Sequence, residues 1–487
     1  MQQLSRTVVR NSAFGMAAQI AIKILSFSFS ILVVRNLGAE AFGQYAGVLA
    51  FGAMFVFIAD LGLSPYAVRE VARWRNLPDG AERANALYGN ILVLRFWLSL
   101  ASAVLVIVTA WLTGRPPVMV GAIALGTIGL MMYSVQGTSE AILSGFERLD
   151  LASGAKVLNQ LIFVLVGALA LWLGFGYYGL IIANLLGVAL MTYVCWRSVK
   201  RLGIHPVRAV VRNWPAMLRA SLPFGVIGLT LGLSYKFDSV LLSIFRGDAE
   251  TGYYNAAYNL VFSAVILSNV INTALYPSVS RQSVHSPHSL PGIYERAMRY
   301  LMLLSLPIAV GTWALADQLV PFLFKTSYQP AVQALQIVIW VVPLMFASEF
   351  LGYIVVIAGN ERRVARSIAV STTFNIVLNL FIVPRYGFIG AAVMTVLTEA
   401  ILVGQYVWLL RGFLSQLNWG RVFWRPLIAA LLMGSVVFAL HSLPLFLNVV
   451  LGVVMYVGLL LALGIVGKAE LEFVRDLRRQ RAGASVS

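Results

Sequence analysis

Two stretches of this chain, residues 38–45 (GAEAFGQY) and 247–254 (GDAETGYY), share a leading glycine, a glycine five positions later and a final tyrosine. Three further pairs repeat at the same offset of 209 residues: Ser12 with Ser221, Ser139 with Ser348, and Glu140 with Glu349. Two motifs repeat at offsets of 214 and 211: Gly145-x-Glu147-Arg148 with Gly359-x-Glu361-Arg362, and Gly176-x-x-Gly179 with Gly387-x-x-Gly390. Matches in this order predict a duplicated bundle, a common plan of transporters with a central site.

The composition is that of a membrane protein. Hydrophobic residues make up 60% of the 487 residues, charged residues only 11%, and the mean hydropathy is +0.83. A soluble protein would carry about 25% charged residues. The single cysteine, Cys195, excludes an intramolecular disulfide.

Apolar segments of about 20 residues are long enough to cross a bilayer, and the hydropathy pattern predicts fourteen of them. They are residues 12–34, 41–65, 87–113, 117–144, 155–173, 178–196, 222–245, 252–280, 300–324, 331–358, 366–383, 387–410, 426–443 and 446–466. The first resembles a signal peptide, but it is too long for one, contains Lys23 and has a counterpart at 222–245. We therefore expect a retained helix.

These spans predict an all-α integral membrane protein of two pseudo-symmetric six-helix lobes plus two C-terminal helices. The expected parts are an N-terminal lobe (1–196), a basic cytoplasmic linker (197–221), a C-terminal lobe (222–410), two additional transmembrane helices (411–466) and a basic cytoplasmic tail (467–487). All connections are short, so no soluble domain is expected.

The basic residues are distributed asymmetrically between alternate connections. The N-terminus, the even-numbered loops with the span ends that flank them, and the tail hold 28 of the 36 Lys and Arg residues, the odd-numbered loops hold five, and three lie deeper inside spans. Basic flanks stay on the cytoplasmic side, so both termini are expected in the cytoplasm of a bacterial inner-membrane protein. The net charge of +17 is thus mainly a topology signal and does not indicate nucleic acid; part of it could rest on anionic lipid headgroups.

Three cations lie inside spans, where each costs at least about 2.5–3.5 kcal/mol and normally faces a cavity or a partner. They are Lys23, Arg95 and Lys236. Polar residues share a helix face with each lysine: Gln19, Ser26 and Ser30 with Lys23, and Ser239 and Ser243 with Lys236. One interpretation is a cationic, water-filled cavity for a phosphate or pyrophosphate. The alternative is that Lys236 pairs with Asp238 or another buried acid, that Lys23 snorkels or pairs with a neighbouring helix, and that Arg95 snorkels.

The acids inside spans allow two interpretations as well. The repeated Glu140 and Glu349 either pair with loop arginines such as Arg148 and Arg362, or form a gate ion pair or a proton or sodium coupling site. Further candidates for coupling or gating are Asp238 and the mid-span Glu399, whereas Asp60 is expected to have a structural role at a helix end.

Amides are the remaining candidate ligands. Asn255 and Asn259 could bind sugar hydroxyls, although hydrogen bonds between helices are the simpler explanation. The sequence contains no Walker A, Gly-x-Ser-x-Gly, His-Glu-x-x-His or Rossmann motif. We therefore expect no cofactor, no metal, no catalytic residues and no direct use of ATP.

Residues 34–45 (VRNLGAEAFGQY), followed by 60–63 (DLGL) and Arg69-Glu70, resemble the opening signature of bacterial polysaccharide exporters. Residues 387–392 (GFIGAA) resemble the second half of the same proteins. These are the O-antigen, or lipid-linked oligosaccharide, flippases of the multidrug/oligosaccharidyl-lipid/polysaccharide (MOP) superfamily. Arg35 matches the arginine of the family signature.

The resemblance implies two lobes around a central cavity, a MATE-like fold and alternating access. It also implies a substrate of polyprenyl-pyrophosphate-linked oligosaccharide, moved from the cytoplasmic to the periplasmic leaflet for O-antigen, capsule or exopolysaccharide synthesis. Fourteen helices are similar to the lipid II flippase branch, in which the last two help form a groove for the lipid tail. Further candidate partners are a proton or sodium ion, membrane lipids and polymerase or glycosyltransferase machinery.

Two other functions compete with a flippase. A cation-coupled multidrug or metabolite antiporter of the same superfamily would be expected to have an acidic cavity, and the buried lysines count against it. A membrane polysaccharide polymerase or ligase would be expected to carry a sizeable outward loop with catalytic groups, which this chain lacks.

Overall fold

The computed structural model describes the backbone of residues 2–285, 290–415 and 417–464, and it is helical nearly throughout. The helices are α1 (Gln2–Asp60), α2 (Leu63–Trp74), α3 (Gly80–Leu112), α4 (Pro117–Gly145), α5 (Leu149–Trp172), α6 (Gly176–Arg201), α7 (Trp214–Phe245), α8 (Asp248–His285), α9 (Leu290–Phe324), α10 (Ala331–Val338), α11 (Val341–Ile357), α12 (Glu361–Leu409), α13 (Arg411–Leu414), α14 (Arg425–Ala439) and α15 (Leu445–Ala462). A π-helical turn, Gly420–Trp424, precedes α14.

Two of the long helices are each divided by a kink at a glycine. Gly38 interrupts α1 with φ 76° and ψ 171°, and Gly387 interrupts α12 with φ 56° and ψ −142°. Ten helical segments of the described chain are long and apolar enough to span a membrane when α1 and α12 are each counted once. Dividing both at their kinks, and adding α7 and α8, gives the fourteen predicted crossings. The predicted all-α membrane fold is confirmed.

The helices extend beyond the predicted apolar spans at several ends. α3 begins at Gly80, α7 at Trp214 and α9 at Leu290, each seven to ten residues before the predicted span. The short helix α2 was not predicted at all. Hydropathy detects contact with lipid, whereas a helix continues through polar residues for as long as its backbone hydrogen bonds are satisfied. The Gln19 side chain and the predicted tail, 467–487, lie outside the described residues.

The chain forms two compact units, and their boundaries fall inside α8 and α12. The first unit contains residues 1–259 and 368–394, and the second contains 260–367 and 395–487. In the first, α1 packs along α3, α5 and α7, and α4 packs against α6. In the second, α9 packs against α11 and α14, and α15 packs against α14. The lobes predicted from the sequence repeat remain predictions.

The repeated glycines adopt matching backbone conformations. Gly38 and Gly247 have φ values of 76° and 89°, and each precedes a helix. Gly176 and Gly387 have φ values of 57° and 56°. A positive φ is readily adopted only by glycine, so the repeated glycines mark repeated turns and kinks.

The caps of α4 and α11 correct one repeat offset. The Arg148 N–H bonds the Leu143 carbonyl at 2.9 Å, and the Asn360 N–H bonds the Val355 carbonyl at 3.1 Å. Both are the six-to-one bond of a Schellman motif, and they align the two helices with an offset of 212. The match between Gly145 and Gly359, at an offset of 214, therefore does not mark equivalent positions. Identical residues within these two glycine-rich turns did not show which positions correspond.

The same alignment separates the two Ser-Glu pairs. Glu140 lies five residues before the end of α4, whereas Glu349 lies eight residues before the end of α11. Three residues correspond to about 4.5 Å along a helix. The two glutamates therefore sit at different heights and have different neighbours.

The second part of α1 and the start of α8 meet in a reciprocal contact, which we call the glycine seam (Ala39, Gly43, Asp248 and Gly252). A Cβ added to Gly43 would lie 1.6 Å from the Asp248 carbonyl oxygen, and one added to Gly252 would lie 2.1 Å from that of Ala39. Asp248 is Ala39 plus 209, and Gly252 is Gly43 plus 209. Gly43 thus contacts Asp248, and their counterparts in the other repeat, Gly252 and Ala39, contact each other in the same way, as in a two-fold symmetric interface.

Gly43→Ala should lower the free energy of unfolding by about 1–3 kcal/mol, because the new methyl group overlaps backbone that cannot move aside. Gly52→Ala, in the same helix with nothing within 4 Å of the added Cβ, should instead stabilise the helix by up to about 1 kcal/mol. Denaturant titration of both variants in detergent measures the difference. Equal effects of the two substitutions would contradict the seam.

Candidate functional site

A cavity of about 200 Å³ lies inside the first unit and contains one of the predicted cations. We call it the lysine cavity. Its polar lining residues are Ser26, Ser30, Gln160, Lys236, Asn255 and Asn259. Its apolar lining comes mainly from Phe29, Val33, Phe42, Tyr45, Ala46, Leu49 and Phe163. At about 30 Å³ for each water molecule in the liquid, this space can hold several waters or a small anionic group.

Four helices supply these side chains. Ser26 and Ser30 lie on one face of α1, as their spacing predicts. Asn255 lies one turn beyond Gly252 of the glycine seam, so the seam fixes the distance between α1 and this wall. α5 contributes Gln160, whose amide nitrogen is buried and has no hydrogen-bond partner among the described residues. Sequence reasoning missed Gln160, because a single glutamine in an apolar helix carries no repeat signal.

Lys236 and Asp238 are separated by their neighbours. The Asp238 carboxylate accepts hydrogen bonds from the Tyr254 hydroxyl at 3.0 Å and from the Asn379 amide at 2.8 Å. Within the described ranges, Lys236 forms no ion pair, since no carboxylate oxygen lies within 4.0 Å of its ammonium group. The alternative that Lys236 pairs with Asp238 is therefore wrong. Residues two apart on a helix point in different directions, which accounts for the separation.

Asn255 holds the wall of the cavity next to Lys236. Its amide nitrogen donates to the Thr251 carbonyl at 2.9 Å, and its amide oxygen accepts from the Ser239 hydroxyl at 3.2 Å. Ser239 belongs to the predicted polar face of α7 and is buried. Asn255 therefore makes one hydrogen bond between helices, with Ser239, as the simpler explanation predicted, and it also lines the cavity.

Lys23 and Arg35 lie outside the lining of the lysine cavity. Lys23 is exposed and lies one turn before Ser26 on the same predicted face of α1. Arg35 is exposed three residues before the Gly38 kink. The structure thus brings Lys236, Asn255 and Asn259 together, and Lys23 and Arg35 are not among them.

Arg95 is fully buried and bound by protein groups. Its guanidinium donates to the Asp60 carboxylate at 2.5 Å and to the Thr138 hydroxyl at 3.2 Å, and it lies 4.7 Å from the centre of the Tyr133 ring. The Asp60 carboxylate also accepts from the Ser64 hydroxyl at 2.8 Å. Arg95 therefore does not snorkel. Asp60 joins the end of α1 to α2 and α3, in agreement with the structural role expected for it.

Glu140 pairs with a lysine rather than with a loop arginine. Lys156 contacts its carboxylate at 2.5 Å, and the Gln136 amide donates to it at 3.1 Å. Arg148 pairs with Asp150 instead, at 3.0 Å. The expected Glu140–Arg148 pair is wrong, because a helical neighbour is closer than the loop.

At the loop itself, Arg75 bonds Glu147 at 2.8 Å. This hydrogen bond holds the pKa of the Glu147 carboxyl below its usual range.

In the second unit, Glu349 and Glu399 are hydrogen-bonded to neutral groups. Glu349 accepts from the Ser268 hydroxyl at 2.6 Å and from the Asn272 amide at 3.3 Å. The Ser348 hydroxyl donates to Glu399. A pairing of Glu349 with Arg362 does not occur among the described residues.

Two ion pairs stabilise the end of the first unit beside the glycine seam. The Arg115 guanidinium contacts the Asp248 carboxylate and the Ser243 carbonyl oxygen. Glu250 pairs with Arg246 at 2.8 Å and accepts the Phe388 N–H at 3.1 Å, which caps the helical segment that follows the Gly387 kink. Sequence reasoning missed the contacts of Arg115 with Asp248 and of Glu250 with the Phe388 N–H, since these partners are more than 130 residues apart.

A second, largely apolar groove of about 380 Å³ lies in the second unit. α9 provides one wall, including Leu303 and Pro307, and α14 and α15 provide the other. Asn448 and Tyr456 are the two side chains of α15 with polar groups in the lining. The Tyr456 hydroxyl donates to the Leu303 carbonyl at 3.0 Å, which ties α15 to α9.

Comparisons with known proteins agree with this architecture. Residues 8–283 match the family model described as polysaccharide biosynthesis protein, and residues 223–381 match the MatE model. A probable low-salt glycan biosynthesis flippase of Haloferax volcanii is 20% identical over 454 residues, which cover 90% of this chain and 94% of that protein. A succinoglycan biosynthesis transport protein of Rhizobium meliloti is 23% identical, over 66% of this chain and 64% of that protein.

Solved structures show the same fold. The lipid II flippase MurJ, in an inward closed conformation, superposes with a TM-score of 0.78 at 13% identity, covering 95% of this chain and 99% of the flippase. An inward-facing multidrug resistance transporter of the MATE family gives 0.62 at 16% identity, covering 81% of this chain and 96% of the transporter.

Removing either member of the Arg95–Asp60 pair should lower the free energy of unfolding by about 3–5 kcal/mol, because the other charge is left buried and unpaired. The double variant Arg95→Met/Asp60→Asn should lose less than the sum of Arg95→Met and Asp60→Asn. A double-mutant cycle in detergent measures the difference. Additive losses would mean that the two groups do not interact.

Proposed function

The chain belongs to the polysaccharide biosynthesis protein family of the MOP superfamily, and we propose that it is a flippase for polyprenyl-pyrophosphate-linked oligosaccharide. The lipid-linked glycan would move from the cytoplasmic to the outer leaflet of a bacterial inner membrane by alternating access, for O-antigen, capsule or exopolysaccharide synthesis. In this proposal both termini lie in the cytoplasm, as the basic connections indicate.

The Lys236 ammonium, which lies in the lysine cavity and has no carboxylate partner among the described residues, carries this proposal. A buried cation without a carboxylate is costly, and a phosphate oxygen would offset that cost during passage. The Asn255 and Asn259 amides and the Ser26 and Ser30 hydroxyls add hydrogen-bonding groups suited to phosphate and sugar. Lys23 lies one turn before Ser26 on α1. In this proposal it contacts the headgroup before the headgroup reaches Lys236.

The apolar groove between α9 and the α14–α15 pair suits the other end of the substrate. A polyprenyl chain is apolar and need not leave the lipid, so it requires only a surface of matching polarity. In our proposal this groove suits the prenyl tail, and the lysine cavity suits the pyrophosphate. Arg95, held by Asp60, would stabilise the bundle and need not contact the substrate.

Lys236→Met should lower export of lipid-linked oligosaccharide at least tenfold without changing the amount of protein in the membrane, because it keeps the side-chain length and removes the charge. Lys236→Arg should retain more activity, since it keeps the charge. Lys325→Met, at an exposed loop position, is the matched control and should be neutral. Export can be measured in cells that lack their own flippase.

The double variant Lys23→Ala/Lys236→Ala should abolish export. Normal export by this variant, at normal protein levels, would rule out the cationic cavity as the route.

A multidrug antiporter is the competing function, favoured by the MatE match over residues 223–381. Its cationic substrates would be repelled by Lys236, so the intact protein should give no resistance to cationic dyes and drugs. Lys236→Glu would reverse the sign of the cavity charge. Strong drug resistance conferred by the unmodified chain would favour the antiporter.

We also propose that Glu399 couples transport to an ion gradient. Its carboxylate is bonded by the Ser348 hydroxyl and forms no ion pair within the described part of the chain, so a proton or sodium ion is the available counter-charge. Glu349 and Asp238 are further candidates for coupling, whereas the Lys156 pair makes Glu140 a candidate for gating.

Glu399→Gln keeps the shape of the side chain and cannot titrate. The variant should lose the response of the transport rate to an imposed proton or sodium gradient. Glu250→Gln, at the outer helix cap, should keep that response. The measurement is the initial rate in proteoliposomes under each gradient, and an unchanged response of Glu399→Gln would remove Glu399 from the coupling mechanism.

A further inference from the structure

The segment that joins α6 to α7 is unusually basic and lies against α3. Six basic residues occur in it and at the adjoining helix ends: Arg197, Lys200, Arg201, Arg208, Arg212 and Arg219. No Asp or Glu occurs anywhere between Asp150 and Asp238. Within the described residues, none of the six forms an ion pair, and all six are exposed. No carboxylate of the described part of the chain therefore neutralises their charge.

Backbone contacts fix this segment although most of it is neither helix nor strand. The Asn85 side-chain oxygen accepts the His205 N–H at 2.8 Å, and that of Asn90 accepts the Val210 N–H at 2.8 Å. A Cβ on Gly89 would lie 1.9 Å from the Val207 carbonyl oxygen. One helix face of α3 therefore holds the segment in place, and its exposed side chains belong to an ordered surface.

The exposed surface is amphipathic. Val207, Val210 and Val211 are 48%, 50% and 63% exposed, and they alternate along the chain with the exposed Arg208 and Arg212. Valine side chains this open to solvent on a fixed segment indicate that something apolar covers them. Arginines interleaved with them require that the covering surface also be anionic.

The position along α3 identifies the membrane boundary as that surface. Phe96 and Trp97 of α3 are exposed, as expected for side chains that face lipid. Asn90 lies six residues before Phe96, about 9 Å along the helix. This distance is comparable to the headgroup layer of about 5–7 Å on each side of the hydrocarbon core. The segment is thus at headgroup depth, next to the ends of two spanning helices.

We propose that residues 204–214 bind anionic lipid headgroups of the leaflet at this end of the bundle. The arginines contact lipid phosphates, and the valines insert at the boundary between headgroups and acyl chains. The segment connects the two sequence repeats, so this contact would hold the connection against the membrane. The proposal concerns a docking surface and does not depend on the transported substrate.

A label at Val211→Cys tests the proposal in the full chain. Cys195 is completely buried, so a maleimide fluorophore should react with the introduced thiol alone. The protein is reconstituted in phosphatidylcholine vesicles with a nitroxide headgroup label on either phosphatidylglycerol or phosphatidylcholine. We expect phosphatidylglycerol to quench the fluorophore more strongly at about 0.01 M salt, and the preference to disappear at about 1 M salt, where the Debye length falls from about 30 Å to about 3 Å.

Variants that lack arginines of this segment then test whether those arginines cause the lipid preference. Arg208→Gln/Arg212→Gln should lower the relative affinity for phosphatidylglycerol about fivefold for each arginine removed, the usual effect of one basic residue at an anionic surface. Arg362→Gln/Arg363→Gln removes two exposed arginines from the first turn of α12 and should leave that affinity unchanged. Circular dichroism and the unfolding midpoint verify that each variant is folded.

Three results would overturn the proposal. They are equal quenching by the two lipids at low salt, no quenching by either lipid, and an unchanged preference in the folded Arg208→Gln/Arg212→Gln variant. Because no transport is measured, failure here leaves the proposed flippase function standing.

Discussion

A charge among apolar helices needs an opposite charge or water, and this requirement organises the polar interior of the first unit. Arg95 forms an ion pair with Asp60, Lys156 pairs with Glu140, and Arg115 pairs with Asp248. These pairs join α3 to α1, α5 to α4, and the α3–α4 connection to α8, so they also fix the packing. Lys236 has no such partner within the described residues and lies at a cavity instead. A cation that lacks a counter-charge and lies beside space for water stabilises a passing anion more than a paired cation does.

The glycine seam connects the sequence repeat to this cavity. Two helix backbones approach closely only where neither carries a side chain, and the duplication supplies a glycine on each. Phe42, Tyr45 and Ala46 of the lining flank Gly43 in the sequence, and Asn255 follows Gly252 by three residues. The position of Asn255 relative to α1 is therefore set by a contact between repeats. Any motion that opened the cavity on this side would have to separate the same two glycines and the adjacent Arg115–Asp248 pair.

The sequence alone was sufficient for the all-α membrane fold, the fourteen spans and the break between spans at Gly38. These follow from hydropathy and helical periodicity, which are local properties. Partners across the bundle could not be predicted, because nothing local links Arg95 to Asp60 or Arg115 to Asp248. The predicted alignment of Gly145-x-Glu147 with Gly359-x-Glu361 was wrong for another reason. The two helix caps place Glu147 and Gly359 at the same left-handed position, so identical residues do not occupy equivalent positions. Helix α2 was missed because its amphipathic face gives no long apolar run.

The fold does not decide between a lipid-linked glycan and a drug, since a lipid II flippase and a multidrug transporter both superpose on this chain. The sign and chemistry of the cavity charge are more discriminating. An arginine can bind a phosphate with two parallel hydrogen bonds. A lysine ammonium is instead a compact, strongly hydrated point charge on a flexible side chain. A transporter must release what it attracts, so a weaker and more readily rehydrated contact suits the site. Arg95 is already bound to Asp60 and Thr138, so in our proposal the lysine contacts the headgroup.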